Sequence, residues 1–183
     1  MKYVYVPFYD DGMDSFARSL ANVKNKKYRF LDRLGGKNDL ARVGYNNILY
    51  VLIHGSAKGG FAGGHANYKK YVKSGTDVAL ELIVRGLKNK KMHLILWTCF
   101  GGIDAKDDKH WSTVGGNDHR SFVCRVHAAL GQYGRNKIKV TGFTKAVSIS
   151  NMALSRNNNK MTLLEDGDDL VYLDPEDHKV VVV

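Results

Sequence analysis

The segment NILYVLIHG, residues Asn47–Gly55, carries most of the information about the fold. It begins as an unbroken run of apolar side chains, which is typical of a strand buried on both faces in a parallel sheet. The run ends abruptly at His54 and Gly55. A second apolar run, MHLILW at 92–97, ends in the same way two residues before Cys99. The two segments together predict buried strands that stop at polar residues.

Strands and helices alternate around these two runs. Enrichment in β-forming residues predicts a first strand over Tyr3–Phe8, and the segment IKVTGF predicts another over 138–143. Apolar residues at helical spacing predict helices over 14–28, 76–88 and 121–132. Such alternation predicts an α/β fold in which helices cover both faces of a mostly parallel sheet. Ligands bind such a sheet beyond the carboxyl ends of its strands.

Capping and turn residues predict where these elements begin and how the chain ends. Asp14 or Ser15 is expected to cap the first helix, and Thr76 the second. In the tail, turn-forming residues such as Asp174-Pro175 predict hairpins rather than helices. We therefore expect a single domain over 1–183 in which residues 150–183 form a β-hairpin extension.

Composition excludes several classes of protein. A chain of 183 residues fits one packed core. Its longest apolar runs are far shorter than the roughly 20 residues of a membrane-spanning helix, so no membrane span is expected. The N-terminus shows no classical signal peptide. We expect a protein that is cytoplasmic, or secreted without such a peptide into a host or target cell.

Cys99 and His54 form one well-placed pair for nucleophilic chemistry. Because adjacent parallel strands end at the same edge of a sheet, both side chains are expected over one crevice. A thiol is nucleophilic as a thiolate, and a nearby imidazole can take up its proton. The backbone N–H groups of Gly55 and Cys99 are candidate donors of an oxyanion hole. The alternatives are an inert buried thiol at Cys99 and a histidine that only caps the loop backbone.

The other cysteine, the other histidines and the glycine loop are assigned no catalytic role. Cys124 shares an apolar helical surface in SFVCRVHAAL, which indicates core packing, and both thiols are expected to be reduced. The remaining histidines lack the spacing of a zinc site, so no metal is expected. The loop SAKGGFAGG at 56–64 lacks the Gly-Lys-Ser/Thr ending of a phosphate-binding loop and is expected to line the substrate cleft.

These residues resemble the pattern of the caspase-like, or clan CD, cysteine peptidases. In that group one apolar strand ends in His-Gly, and a second ends in a small residue and Cys that glycines such as Gly101 and Gly102 follow. The separation of 45 positions from His54 to Cys99 lies within the range of the group. Small size and the following helix and strand look most like the self-processing cysteine protease domain of bacterial RTX toxins and related effectors. The resemblance covers Ile48–Thr144.

The resemblance implies a caspase-like three-layer sandwich and a cysteine endopeptidase that acts on a protein or peptide. Cys99 would be the nucleophile and His54 the general base and later acid, without a third catalytic residue and without a cofactor for the chemistry. Asp104 and Trp111 are near the nucleophile in sequence and are candidate walls of the substrate cleft.

The resemblance also implies an activator, inositol hexakisphosphate, bound by basic residues away from the dyad. The excess of 28 Lys and Arg over 18 Asp and Glu, a formal net charge of +10, fits an anionic partner, although a merely solvated surface is the alternative. The candidate residues follow the glycine loop or lie in the tail: Lys69, Lys70, Lys73, Lys145, Arg156 and Lys160.

Two other functions are compatible with the same features. A catalytically silent caspase-fold module would bind nucleic acid or phosphoinositide through a basic surface, with steep salt dependence. A thiol acyltransferase or deamidase would use the same dyad on another substrate. Because a silent module has no need of both His54 and Cys99, the peptidase is favoured, and nucleic acid is not the expected partner.

Overall fold

A six-stranded sheet forms the centre of the structure, a computed structural model. The structure describes residues 1–8, 10–22, 28–32, 39–55, 62–63, 72–99, 120–144, 146–147, 163–164, 172–173 and 179–183. The strands in chain order are β1 (Lys2–Tyr5), β2 (Tyr28–Leu31), β3 (Ile48–Leu52), β4 (His54–Gly55), β5 (Ala62–Gly63), β6 (Val72–Lys73), β7 (Met92–Trp97), β8 (Ile138–Phe143), β9 (Ala146–Val147), β10 (Leu163–Leu164), β11 (Tyr172–Leu173) and β12 (Lys179–Val182). The helices are α1 (Asp11–Asn22), a 3₁₀ turn (Asp39–Arg42), α2 (Gly75–Val84) and α3 (Phe122–Gln132).

The strand order in the central sheet is β12-β8-β7-β3-β1-β2. All neighbours are parallel except β12, which runs antiparallel to β8. The predicted α/β class with a mostly parallel sheet is therefore confirmed. The two strands that the sequence singles out, β3 and β7, are neighbours in this sheet, with Leu49 opposite Leu94 and Leu52 opposite Trp97. This register brings their carboxyl ends to the same edge.

Alternation of side chains along the strands gives the sheet two buried faces. On one face Val51 and Leu94 pack with apolar residues of α2 and α3. On the other face Leu52 and Trp97 pack with Met13 of α1. Helices on both sides of the sheet make a three-layer arrangement, in agreement with the continuous apolar runs of β3 and β7.

Helices α1 and α2 begin at other residues than the sequence predicts. Asp10 precedes α1, and its side chain accepts the Met13 N–H at 2.9 Å, so neither Asp14 nor Ser15 caps the helix. Ser74, not Thr76, caps α2, because Ser74 and Asp77 exchange two hydrogen bonds in a capping box.

The end of the first strand and the pairing of the tail also differ from the prediction. The strand ladder of β1 stops at Tyr5, short of the predicted Phe8, because Pro7 has no N–H to donate. In the tail, β10 pairs antiparallel with β9 and β11. The last strand, β12, does not join a hairpin there but becomes an edge strand of the central sheet. Among the described helices, none has the length and apolarity that crossing a bilayer requires.

Candidate active site

The ends of β3 and β7 meet closely at the edge of the sheet. The Ile53 N–H donates to the Trp97 carbonyl oxygen at 3.2 Å, which extends the pairing by one residue. A Cβ atom at Gly55 would lie 2.7 Å from the Cys99 amide nitrogen and closer still to the Cys99 carbonyl oxygen. Only glycine allows this approach. The backbone of Gly55, next to His54, therefore lies in close contact with the backbone of Cys99.

A buried carboxylate accompanies the histidine. Asp10 Oδ2 lies 2.9 Å from His54 Nε2, and the Asp10 side chain is only 9% exposed. Asp10 lies five positions after the end of β1, and β1 is the neighbour of β3 on the side away from β7. The topology thus places a carboxylate, an imidazole and a thiol along one edge of the sheet, in the order Asp10, His54 and Cys99.

The hydrogen bond that Asp10 accepts from His54 determines what the imidazole can do. When Nε2 carries the proton that is donated to Asp10, Nδ1 is the nitrogen that can accept a proton from a thiol. The negative charge also stabilises the imidazolium that forms after that transfer. Asp10 can therefore act as a positioning residue for His54.

Sequence reasoning does not identify Asp10. The segment Asp10-Asp11-Gly12 has the composition of a turn, and the family resemblance implies a dyad without a third residue. The available signal is that Asp10 follows the first strand and precedes a helix, as an N-cap does. A cap that is also placed at the carboxyl edge of the sheet is a candidate partner for His54.

The apolar cluster around Trp97, against which Cys99 packs, is dense. Trp97 is 2% exposed, and its ring contacts Phe16 edge-on at 6.2 Å and Tyr50 at 5.7 Å between centroids. The Cys99 side chain packs against the same cluster. Within the described part of the chain, Trp97 Nε1 and Thr98 Oγ1 are buried without a hydrogen-bond partner. Thr98 Oγ1 would also lie 2.5 Å from a Cβ at Gly55, so this residue fills the space below the site.

A small three-stranded sheet, β4-β5-β6, stands beside the site. It pairs Gly55 with Ala62, and Ala62 with Lys73. The Lys73 Nζ lies 5.1 Å from the centroid of the Phe8 ring, a cation–π distance. Lys73 was expected in a cluster away from the dyad, but the register places it two strands from Gly55, next to the site.

The other predicted residues of the cleft and of the polyanion cluster lie outside the residues that the structure describes. These are Asp104, Trp111, Lys69, Lys70, Lys145, Arg156 and Lys160, together with most of the glycine loop at 56–64.

The second thiol is far from this arrangement. Cys124 lies on α3 and packs against the core on the other face of the sheet from the cluster that Cys99 contacts. Its N–H donates to Ser121 Oγ at 3.4 Å, which caps α3. Neither Cys99 nor Cys124 forms a disulfide. In the residues that the structure covers, no group of three or more His, Cys, Asp or Glu side chains could hold a metal ion.

Comparison with known proteins adds no family. No protein-family model matches the chain, and the search of curated proteins finds no match.

Proposed function

We propose that this chain is a caspase-like cysteine endopeptidase in which Cys99 is the nucleophile and His54 the general base. The observation that carries the proposal is the close approach of Gly55 to the Cys99 backbone at the edge where Asp10 holds His54. A thiol with an imidazole to take its proton is what acyl transfer needs, and the carboxylate holds that imidazole in position. The three-layer α/β arrangement supports the same proposal.

The reaction proceeds in two acyl-transfer steps. His54 takes the Cys99 proton, and the thiolate attacks the carbonyl carbon of the peptide bond. The oxyanion that forms accepts hydrogen bonds from the Gly55 and Cys99 N–H groups. As the C–N bond breaks, the leaving amine takes the proton from His54. Water then loses a proton to His54, attacks the acyl-enzyme and releases the acid, which restores the thiol.

The proposal extends to the setting of the enzyme. It would act on protein or peptide substrates, as a cytoplasmic or secreted bacterial effector that processes itself or another chain, with inositol hexakisphosphate as activator. The net charge of +10 supports an anionic activator. Hydrolysis of a peptide library with and without this compound tests that part, and equal rates would remove it.

Substitution of the two cysteines and of His54 tests the proposed acyl transfer. Cys99→Ala and His54→Ala should each abolish hydrolysis, while Cys124→Ala is the matched control and should retain it. A thiol-reactive peptide probe, located by mass spectrometry, should label Cys99 rapidly and Cys124 slowly.

Three results would contradict the peptidase. The first is hydrolysis that survives in Cys99→Ala. The second is labelling of Cys99 that is unchanged in His54→Ala. The third is equal, slow labelling of both cysteines, which would favour the catalytically silent binding module.

A further inference from the structure

A cavity lies at the opposite edge of the central sheet from His54 and Cys99. Its volume is about 480 Å³, and it is formed by the starts of β3, β7 and β8 with the loops before them. His93 lines the cavity near the start of β7, and Cys99 lies six positions further along the chain, just after the end of that strand. At about 3.3 Å per residue, the two places are roughly 20 Å apart.

The cavity concentrates positive charge. Three lysines, Lys91, Lys137 and Lys139, line it, no lining side chain is acidic, and the main-chain carboxylate of Val183 is the negative group of the lining, so the positive charges outnumber it. Burial and the charges of Lys139 and Lys179 lower the pKa of His93, which also lines the cavity. Lysines that repel a neighbouring imidazolium in this way provide a favourable place for an anion.

Neutral hydrogen-bonding groups lie among the lysines. The asparagines Asn46, Asn47 and Asn136 line the cavity. Asn47 Oδ1 accepts from the Met1 ammonium at 2.9 Å and Asn136 Oδ1 accepts from Asn89 Nδ2 at 3.1 Å, so these two side chains offer a ligand their N–H groups. His93 Nε2 lies 2.7 Å from Thr141 Oγ1, which fixes the ring. Amide and imidazole groups recognise neutral polar atoms such as hydroxyls, whereas the lysines recognise charge. The lining is therefore suited to a ligand that has both.

The loops that carry these groups are held in place. The Asn46 N–H donates to the Lys91 carbonyl oxygen at 2.8 Å, and the His93 N–H donates to the Asn47 carbonyl oxygen at 3.0 Å. The Lys137 N–H donates to Asn89 Oδ1, also at 3.0 Å. Because these backbone positions are fixed in advance, a ligand would not have to order them.

We propose that this cavity binds a small compound that carries two or more phosphate groups. Its volume falls in the range of about 300–1,000 Å³ that small-molecule sites occupy, and its three lysines can each pair with a phosphate oxygen. The cavity shares no residue with the basic clusters that the sequence indicates. The inference does not depend on the peptidase proposal, since it concerns binding alone.

Isothermal titration of the full chain with adenosine triphosphate and with inorganic tripolyphosphate, at about 0.15 M ionic strength, tests the site. One saturable site is expected. Lys137→Gln and Lys139→Gln should each weaken binding about tenfold, and the double variant about a hundredfold. Both lysines are exposed, so the fold should be kept, which a thermal melt checks. Arg29→Gln, an exposed charge on β2 at the far side of the sheet, is the control and should bind as before.

Tighter binding of the nucleotide than of tripolyphosphate would show that the neutral groups are used, and equal affinities would show a site for the phosphates alone; both support the proposal. Absence of saturable binding would overturn it, as would an affinity that the double variant leaves unchanged. An equal loss in Arg29→Gln would assign the binding to diffuse surface charge. A single-stranded oligonucleotide that binds more tightly than the nucleotide and depends on the same lysines would assign the surface to nucleic acid. No outcome involves peptide hydrolysis, so the result is separate from the test of the dyad.

Discussion

Asp10 uses its two carboxylate oxygens for different purposes. Oδ1 accepts the Met13 N–H and caps α1, while Oδ2 pairs with His54. The start of a helix and the orientation of the candidate base therefore depend on one side chain. Because asparagine caps helices as well as aspartate does, substitution can separate the two purposes.

Asp10→Asn should retain the helix cap but lose the charge behind His54. We expect the rate of peptide hydrolysis to fall by a factor of up to about 10⁴, the loss that the same substitution causes in a Ser-His-Asp triad. The melting temperature should change little. The pH profile of kcat/KM measures the effect on the base. Asp10→Ser, which also caps but is too short to reach the imidazole, should match it, and full activity in both would remove Asp10 from the mechanism.

Gly55→Ala should damage the site directly. Its Cβ would lie 2.5 Å from Thr98 Oγ1 and 2.7 Å from the Cys99 amide nitrogen, so the Cys99 backbone must move. We expect loss of hydrolysis together with destabilisation of about 1–3 kcal/mol. Denaturant unfolding and the labelling rate of Cys99 measure the two effects. Unchanged labelling would mean that this approach does not position the nucleophile.

Sequence patterns locate His54 and Cys99 but not Asp10. The first two stand at the ends of long apolar runs, and a buried parallel strand is visible from its own residues. Asp10 is 44 residues from His54 in the chain, so their contact depends on strand order and not on local pattern. Which of several aspartates caps α1 also depends on where the helix packs against the sheet.

Helices α2 and α3 touch through a glycine. A Cβ at Gly75, the first residue of α2, would lie 2.6 Å from the Arg125 Cβ and 2.8 Å from the Val126 nitrogen on α3. The two helices can approach this closely only without a side chain at that position. The pair covers the face of the sheet opposite to α1.

Gly75→Ala should therefore destabilise the protein by about 1–3 kcal/mol through overpacking. Gly131→Ala is the matched comparison, because Gly131 lies in α3 with no atom within 4 Å of its would-be Cβ. That variant should gain up to about 1 kcal/mol from helix propensity. Free energies of unfolding in urea distinguish the two. Equal effects of both substitutions would contradict the tight α2–α3 contact.

The elements were predictable where a single segment contains its own signal. The strand predicted at 92–97 agrees with β7, and the strand predicted at 138–143 agrees with β8. The position of β12 was not predictable, since turn residues in the tail do not show that Lys179–Val182 pairs with β8. The prediction that Thr76 caps α2 is wrong because Ser74 and Asp77 each accept a hydrogen bond from the other's backbone N–H in a capping box.

The burial of His93 and two neighbouring lysines should make the stability of the whole molecule depend on pH. Burial and the charges of Lys139 and Lys179 hold its pKa below the ordinary value of 6.5 in the folded state. The unfolded chain then takes up this proton first as the pH falls. Stability is fully present above pH 6.5 and declines below it, down to the folded pKa.

Removing the imidazole should reduce that decline. In His93→Gln the free energy of unfolding should fall less between pH 7 and pH 5 than in the unsubstituted protein. Chemical denaturation at a series of pH values gives the difference directly. A parallel decline in both proteins would mean that this histidine ionises as readily when folded as when unfolded.

The packing of Trp97 has a practical consequence. The sequence contains two tryptophans, Trp97 and Trp111, so a Trp111→Phe variant would have a single indole fluorophore. That indole stands two residues before Cys99 and touches Phe16 of α1, the helix that Asp10 caps. Its emission would respond both to events at the thiol and to movement of α1. The protein thus contains its own optical reporter, with which the binding of a ligand at the edge of the sheet that carries Cys99 could be followed in real time.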